Sequence, residues 1–456
     1  MRRKKKLAFT LFFASFIATA IIAVPNANAI PGTYYVSTTG SDANSGGSGD
    51  PWLTIQHAID NVATGDTIIV AAGTYTVGAT ILVSKTVTLI GPQAGVDPRP
   101  SIGGRSGSEA VVQGNGALGT VIKVQADNVV INGFTLETGL GDIIYQSSAY
   151  TGTTVKYNII HDGQGDEGIQ LKQCTSGVIE YNYVYDIATP GDAINFADSS
   201  NCAIKFNEVY NIGSENAAIY VYGSNHMQIV GNLVHHVTQN DGIKLGDKGG
   251  GDAGKSGGLI KDNLVYDVVQ DGITVYTSDV IVDGNEIYNS GSENGVIYLA
   301  YTISNITLHC NKVHDNVLST SKRLTSAGIL LEYRVDALNV NISSNNIYNN
   351  NPYGCTNEAA GLLKAENNWW GDASGPYHPT LNAGGLGNRV SDNVDFDPWL
   401  GSPACQPPSP PSPPVGGEWI PLDTFQLLLT WMGLASLIVA VATVFVYVNR
   451  KRRLLI

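Results

Sequence analysis

The chain has 456 residues, a formal net charge of −13, only 14% charged residues and 52 glycines. That composition argues against a helix-rich protein, which would carry more Glu, Lys, Arg and Leu, and favours strands and turns. Positive charge is concentrated at Arg2–Lys6 and Arg450–Arg453; without those groups residues 7–449 carry −22, which argues against nucleic acid phosphates as a partner.

The basic residues 2–6 precede an apolar stretch from Leu7 to Val24, then Pro25 and Ala27-Asn28-Ala29. This is the tripartite pattern of a secretory signal over residues 1–29. An ectodomain is expected over 30–404. It opens with Tyr34-Tyr35-Val36-Ser37 and a Gly/Ser/Asp loop to Pro51-Trp52. From Thr54 to Ala63, the apolar residues Ile55, Ala58, Ile59 and Val62 follow helical spacing, which predicts a short amphipathic cap helix. Thr67 to Ala71, Ile81 to Val83 and Val87 to Ile90 read as strands.

From about residue 120 one short phrase repeats. Its opening asparagines are Asn132, Asn158, Asn182, Asn207, Asn232, Asn263, Asn285, Asn311, Asn345 and Asn367, spaced by 22 to 34 residues. A period of this size marks stacked units that bury their apolar side against each other. Three residues before each asparagine, and two after it, stand almost wholly apolar columns such as Ile179, Ile204 and Ile229, then Val184, Val209 and Val234. A third strand precedes them, as in Gly168 to Leu171, Ala193 to Phe196 and Gly242 to Leu245. Alternation in all three predicts strands with one buried face. Three strands per turn make an all-β parallel β-helix of about 10–12 coils, roughly 4.8 Å apart. The asparagines would stack at one corner in left-handed geometry, with Asn158, Asn182, Asn207, Asn232, Asn263, Asn285, Asn311 and Asn345 as the ladder.

The unit closes with Asn367-Asn368-Trp369-Trp370-Gly371 and Asp395-Phe396-Asp397-Pro398-Trp399. A Pro-rich linker follows over 405–424, stiff and extended. Phe425 to Val448 carries no charge and is long enough to span a bilayer, so a transmembrane helix is expected over 425–449. The basic tail 450–456 would stay cytoplasmic and the β-helix would face outward. Cys355 and Cys405 are the favoured disulfide among five cysteines, and Asn305 and Asn341 lie in glycosylation sequons.

The opening from Tyr34 through Asp50-Pro51-Trp52-Leu53-Thr54-Ile55-Gln56 to Gly73-Thr74-Tyr75, the repeats and the closing Trp-rich segment resemble the pectin-lyase-like right-handed parallel β-helix superfamily over roughly residues 33–401. The superfamily holds lyases, glycoside hydrolases, epimerases and non-catalytic adhesins, so the resemblance implies a fold and leaves the activity open. It also implies that the strand beginning Gly-Ile lines a substrate cleft. The outward residues of that strand include Gln170, Lys172, Asn195, Tyr220, Tyr222, Tyr276, Tyr298 and Glu332, and its tyrosines offer faces on which sugar rings stack. For a lyase, Lys244 is the candidate base, with Lys248, Arg323 or Arg334 neutralising a uronate carboxylate. Lys244 and Arg334 stand three coils apart, about 14 Å. Glu167, Asp192, Asp241 and Asp271 recur before the strand and read as turn residues, with Ca²⁺ the only cofactor they would suit. His161, His235 and His314 share a slot with Tyr185, Tyr210, Tyr266, Tyr288 and Tyr348, which makes them members of an aromatic ladder and not metal ligands. The leading expectation is a membrane-anchored surface protein that binds carbohydrate. A polysaccharide lyase or glycoside hydrolase acting on acidic polysaccharide, and an architectural envelope protein, are the alternatives.

Overall fold

The computed structural model describes residues 31–405 except Thr189, 248–254, 292–293 and 319–322. The expected signal, transmembrane helix, basic tail and all but the first residue of the linker lie outside these residues, as does Lys248. No helix among the described residues is long and apolar enough to cross a membrane.

Alternating β-branched residues make strands of three to six residues, and each coil uses three of them. One coil runs through Ile169–Lys172, Val178–Glu180 and Tyr183–Ile187. Each strand pairs in parallel with its equivalent one coil away, Ile169 beside Ile194, Ile179 beside Ile204 and Val184 beside Val209. The result is three parallel sheets of 14, 11 and 11 strands. Ile169, Leu171, Ile179 and Val184 point inward and are fully buried, as are their equivalents along the coil axis. The cap helix Ile55–Asn61 buries Ile55, Ala58 and Ile59 over the first coil, and Thr54 caps it by accepting from the His57 amide at 3.2 Å.

The asparagine ladder runs as expected from Asn158 to Asn345. Each Oδ1 accepts from both the amide and Nδ2 of the asparagine before it, as at Asn207, where the distances are 3.0 Å. Each Nδ2 also donates to a carbonyl inside the turn, Ile179 O at 2.9 Å for Asn207. The ends of the column differ from the sequence reading. Strand register puts Ile131 beside Val155, so the ladder position in that coil is Phe134, and Asn132 stands two residues early. At the other end the acceptor is Asn368, not Asn367. The left-handed geometry falls one residue before each ladder asparagine, at Tyr157, Tyr181, Phe206, Gly231, Asp262, Gly284, Cys310, Ser344 and Asn367, with φ between 52° and 66°. Asn367 thus belongs to this turn position, and its neighbour makes the ladder bond. A second left-handed set follows four residues after each ladder asparagine, as at Asp162, Asp186 and Asn211, which is where the repeat carries Asp or Asn.

The aromatic slot on the outside of the third sheet is stacked as predicted. Ring centroids stand 4.8 Å apart for His161 and Tyr185, 4.9 Å for His235 and Tyr266, and 4.9 Å for His314 and Tyr348. A strap over 97–109 lies across this sheet, with Arg105 donating to the Tyr157 and Phe134 carbonyls and the Ser101 amide donating to Glu208 at 3.0 Å.

The disulfide joins Cys310 to Cys405, with Cα atoms 5.5 Å apart, and not Cys355 to Cys405. The Cys355 side chain points into the core from the second sheet and is fully buried, beyond reach of the chain end. Cys310 lies in the left-handed turn at the ladder corner, on the surface. Asn305 and Asn341 are both exposed.

Candidate functional site

The outward column of the second sheet is in the register that the sequence implies. It reads Lys123, Tyr145, Gln170, Asn195, Tyr220, Lys244, Thr274, Tyr298, Leu330 and Thr356. Its exposure is uneven. From Tyr220 to Leu330 the face is covered, with Lys244 at 5%, Thr274 at 0% and Tyr298 at 7% exposure. Tyr276, Tyr298, Ala300, Ala327 and Leu330 form an apolar cluster outside the coil, against Tyr301 and Tyr353. The ammonium of Lys244 is held by Asp241 Oδ2 at 2.9 Å and the Asn216 carbonyl at 2.7 Å. Glu332 is buried and takes a bidentate bond from Arg334, whose guanidinium stacks 4.2 Å over the Tyr301 ring. Arg323 pairs with Glu358. Lys244 and Arg334 are therefore each engaged by a carboxylate of their own, and Tyr220, Tyr276 and Tyr298 offer no open ring face. The Tyr220 hydroxyl donates to Asp247 at 3.0 Å.

The open part of the face lies at the N-terminal coils. The Tyr145 ring stands between two ammonium groups, Lys123 Nζ and Lys172 Nζ, each 5.7 Å from its centroid. Tyr145, Lys123, Lys172 and Tyr222 are all partly exposed, and Tyr222 stacks on Tyr220 at 4.9 Å. Gln170 and Asn195 form the floor between them, both buried.

Beside this platform three carboxylates meet. Asp142, Asp166 and Glu167 place ligand-type oxygens within 4.8 Å of one another. Two tight glycine contacts bring their turns together. A Cβ on Gly165 would lie 1.9 Å from the Leu140 carbonyl, and one on Gly191 would lie 2.0 Å from the Asp166 carbonyl. Gln170 Nε2 donates to Glu167 Oε1 at 2.6 Å, while Glu167 Oε2 and Asp142 Oδ1 are buried with no hydrogen-bond partner. Burial is the main force on both groups. It pushes Glu167 up to about 10, with Asp166 and Asp142 adding to the rise. It pushes Asp142 up to about 6, with the neighbouring Glu167 carboxyl pulling the other way.

Of the other acids of this column, Asp192 and Asp271 precede their strands, whereas Asp241, expected in a turn, is the first residue of the strand Asp241–Leu245. Asp192 accepts from the Asn216 and Ala217 amides at 3.2 Å, and Asp241 accepts from Thr274 and pairs with Lys244. Among the described acids that precede this strand, Asp142 and Glu167 have buried oxygens without a hydrogen-bond partner, and Asn195 Oδ1 in the neighbouring coil is a third such oxygen. A hard divalent cation such as Ca²⁺ suits that donor set, since it takes carboxylate oxygens and its charge would offset their burial. Asp142, Asp166 and Glu167 would hold it.

Sequence reasoning missed Lys123, Tyr145, Asp142 and Asp166. The first two lie in the strands Ile122–Val124 and Ile144–Gln146, which lack the leading glycine, and the second has the polar Gln146 where its equivalents are apolar. Extending the register two coils upstream would have found them.

The coil geometry defines a class: the protein is a right-handed parallel β-helix. It belongs to the family described as right handed beta helix region, whose model matches residues 105–234 and 192–370. No curated protein matches the chain. Among solved structures, the A-module of the Azotobacter vinelandii mannuronan C-5 epimerase AlgE6 is similar at 16% identity, over 75% of this chain and 94% of that one, with a TM-score of 0.56. The AlgE4 A-module of the same organism matches at 16% identity over 67% and 86%, TM-score 0.49. Pectate lyase Pel9A matches at 15% identity over 70% and 80%, TM-score 0.47. At these identities the likeness is one of fold.

Proposed function

We propose that this β-helix binds an acidic polysaccharide along the open N-terminal part of its second sheet. The observation that carries the reading is the Tyr145 ring between Lys123 and Lys172, beside the carboxylate cluster. A pyranose ring would stack on the tyrosine face. The two ammonium groups would take uronate carboxylates directly, and a cation held by Asp142, Asp166 and Glu167 would bridge another. Support from the fold comes through the AlgE6 module, whose name makes mannuronan its substrate. The signal-like pattern over 1–29 and the uncharged segment within 425–449 support a cell-surface position, anchored by one helix. Membrane fractionation of the full chain against a version ending at residue 404 tests that part.

An enzymatic reading has one observation in its favour. At neutral pH the raised Glu167 keeps its proton beside a largely ionised Asp142, which is an acid and a base in one place. Lyase or glycoside hydrolase action on a polyuronate would use that pair, not Lys244.

Calorimetry with alginate and polygalacturonate, with Ca²⁺ or with EDTA, tests binding. Tyr145→Ala and Lys172→Ala should each weaken it about tenfold or more, roughly the loss of one charge-assisted or stacking contact. Absence of binding to any polyuronate would remove the proposal. Growth of unsaturated-product absorbance or of reducing ends in the same mixtures, lost in Glu167→Gln, would move the assignment to the enzymatic reading.

A further inference from the structure

The outward column ends in a second open place. Thr356, its last member, forms the floor of a cavity of about 310 Å³ walled by Tyr353, Glu358 and the closing-segment residues His378, Arg389 and Asp392. Three features set it apart from ordinary surface.

Arg389 has no carboxylate. Arg99, Arg105, Arg323 and Arg334 each pair with an acid, at Asp97, Glu109, Glu358 and Glu332. Arg389 instead lies 4.5 Å over the Tyr353 ring, and its guanidinium makes no hydrogen bond among the described residues. In a chain as acidic as this one, an unpaired guanidinium fixed on an aromatic face is an anion site awaiting its ion. Next, the Thr356 hydroxyl is buried without a partner, although a buried hydroxyl normally finds one. Finally, the acids nearby are already neutralised or directed elsewhere. Glu358 is bonded by Arg323 and Thr325. Asp392 has one oxygen 3.1 Å from His378 Nε2 and the rest of its side chain in solvent. His378 Nδ1 accepts from the Leu381 amide at 3.1 Å, so Nε2 carries the hydrogen and donates to Asp392.

We propose that this cavity is a separate subsite for a single carboxylated sugar, with Arg389 binding the carboxylate in the bidentate geometry of a guanidinium and Thr356 taking a ring hydroxyl. The volume suits one pyranose ring, not a chain of them. The cavity lies eight strand steps from Tyr145 in the same sheet, about 38 Å at the sheet spacing, so one short oligosaccharide does not reach both. The subsite stands whether or not the Tyr145 platform binds polymer. Its ligand is either a free uronic acid or the end residue of an acidic glycan.

Titration of the full-length protein with galacturonate, glucuronate and uncharged galactose, followed by ligand-observed NMR, decides the matter. The uronates should bind and galactose should bind at least about tenfold more weakly, the size of one charge-assisted bond. In a Lys172→Ala background, which removes the platform's share, Arg389→Ala should abolish the remaining uronate binding and Thr356→Val should weaken it. Arg389 is exposed, so its variant should unfold at the wild-type temperature. A short uronate oligomer separates the two sources: competition with free uronate that is lost when the non-reducing-end carboxyl is methylated identifies a glycan end, and no competition by the unmethylated oligomer identifies the monosaccharide. Equal binding of galactose, unchanged binding in Arg389→Ala, or no uronate binding would overturn the proposal. Loss in Tyr145→Ala with retention in Arg389→Ala would assign the signal to the platform.

Discussion

Glu167 and Asp192 occupy equivalent positions one coil apart, yet their surroundings differ. Asp192 Oδ1 accepts from the successive Asn216 and Ala217 amides, and Glu167 faces Asp142 and Asp166. Burial still raises Asp192 to about 6, alongside Asp142 at about 6 and Glu167 at about 10. In the unfolded chain the aspartates return to 3.8 and the glutamate to 4.5. The folded state therefore holds protons that the unfolded state has released. Their contribution to stability is complete below about pH 4, fades through pH 6 for the aspartates and continues to fade towards pH 10 for Glu167. In EDTA, the unfolding temperature at pH 8 should lie below that at pH 5, on the order of 2–4 °C for each kcal/mol lost. Glu167→Gln should flatten this slope, and Ca²⁺ at pH 8 should restore the lost stability in wild type and not in the variant. A flat profile between pH 5 and 8 in EDTA would show that these carboxyls are not buried against one another.

The asparagine corner behaves as one element, because each amide serves two coils. Asn207→Ala would strip the Asn182 amide and Nδ2 of their acceptor and the Ile179 carbonyl of its donor, all buried. Leaving such groups unsatisfied costs about 1–3 kcal/mol each, so a loss of roughly 3 kcal/mol or more is expected in thermal or denaturant unfolding. Asn132→Ala, outside the ladder, should cost much less. This contrast also marks how far the sequence could be read. The repeat period, three strands per coil and the ladder from Asn158 to Asn345 were legible because each is a column sampled many times. The two ends were not, since a single coil cannot reveal a two-residue slip such as Phe134 for Asn132. The cover over Tyr220 to Leu330 was equally hidden, because residues of the long loops have no period and alternation shows which way a side chain points, not what lies on it. Glu167 and Asp192 look alike in sequence for the same reason: the partners that separate them, Asp142 and Asn216, come from other coils.

At the scale of the whole molecule, the described residues up to Cys405 form one continuous stack, and the outward face of its second sheet is open around Tyr145 and at the cavity beside Arg389 and closed between them. The covalent closure is testable directly. The chain has five cysteines, and only Cys310 and Cys405 are joined among the described residues, so denatured, unreduced protein should titrate three thiols, and reduced protein five. Peptide mapping should recover Cys310 linked to Cys405, and recovery of Cys355 in a crosslink would contradict the structure. The position of that bond has a mechanical meaning. If residues beyond 405 tether the protein, any tension on them reaches Cys405 first and passes through sulfur to Cys310, beside Asn311, two ladder steps inward from Asn368. The closing segment from Asn367 to Ala404 is thereby excluded from the load path, and drag on a captured polymer would pull on an interior coil in shear instead of peeling the stack open from its end.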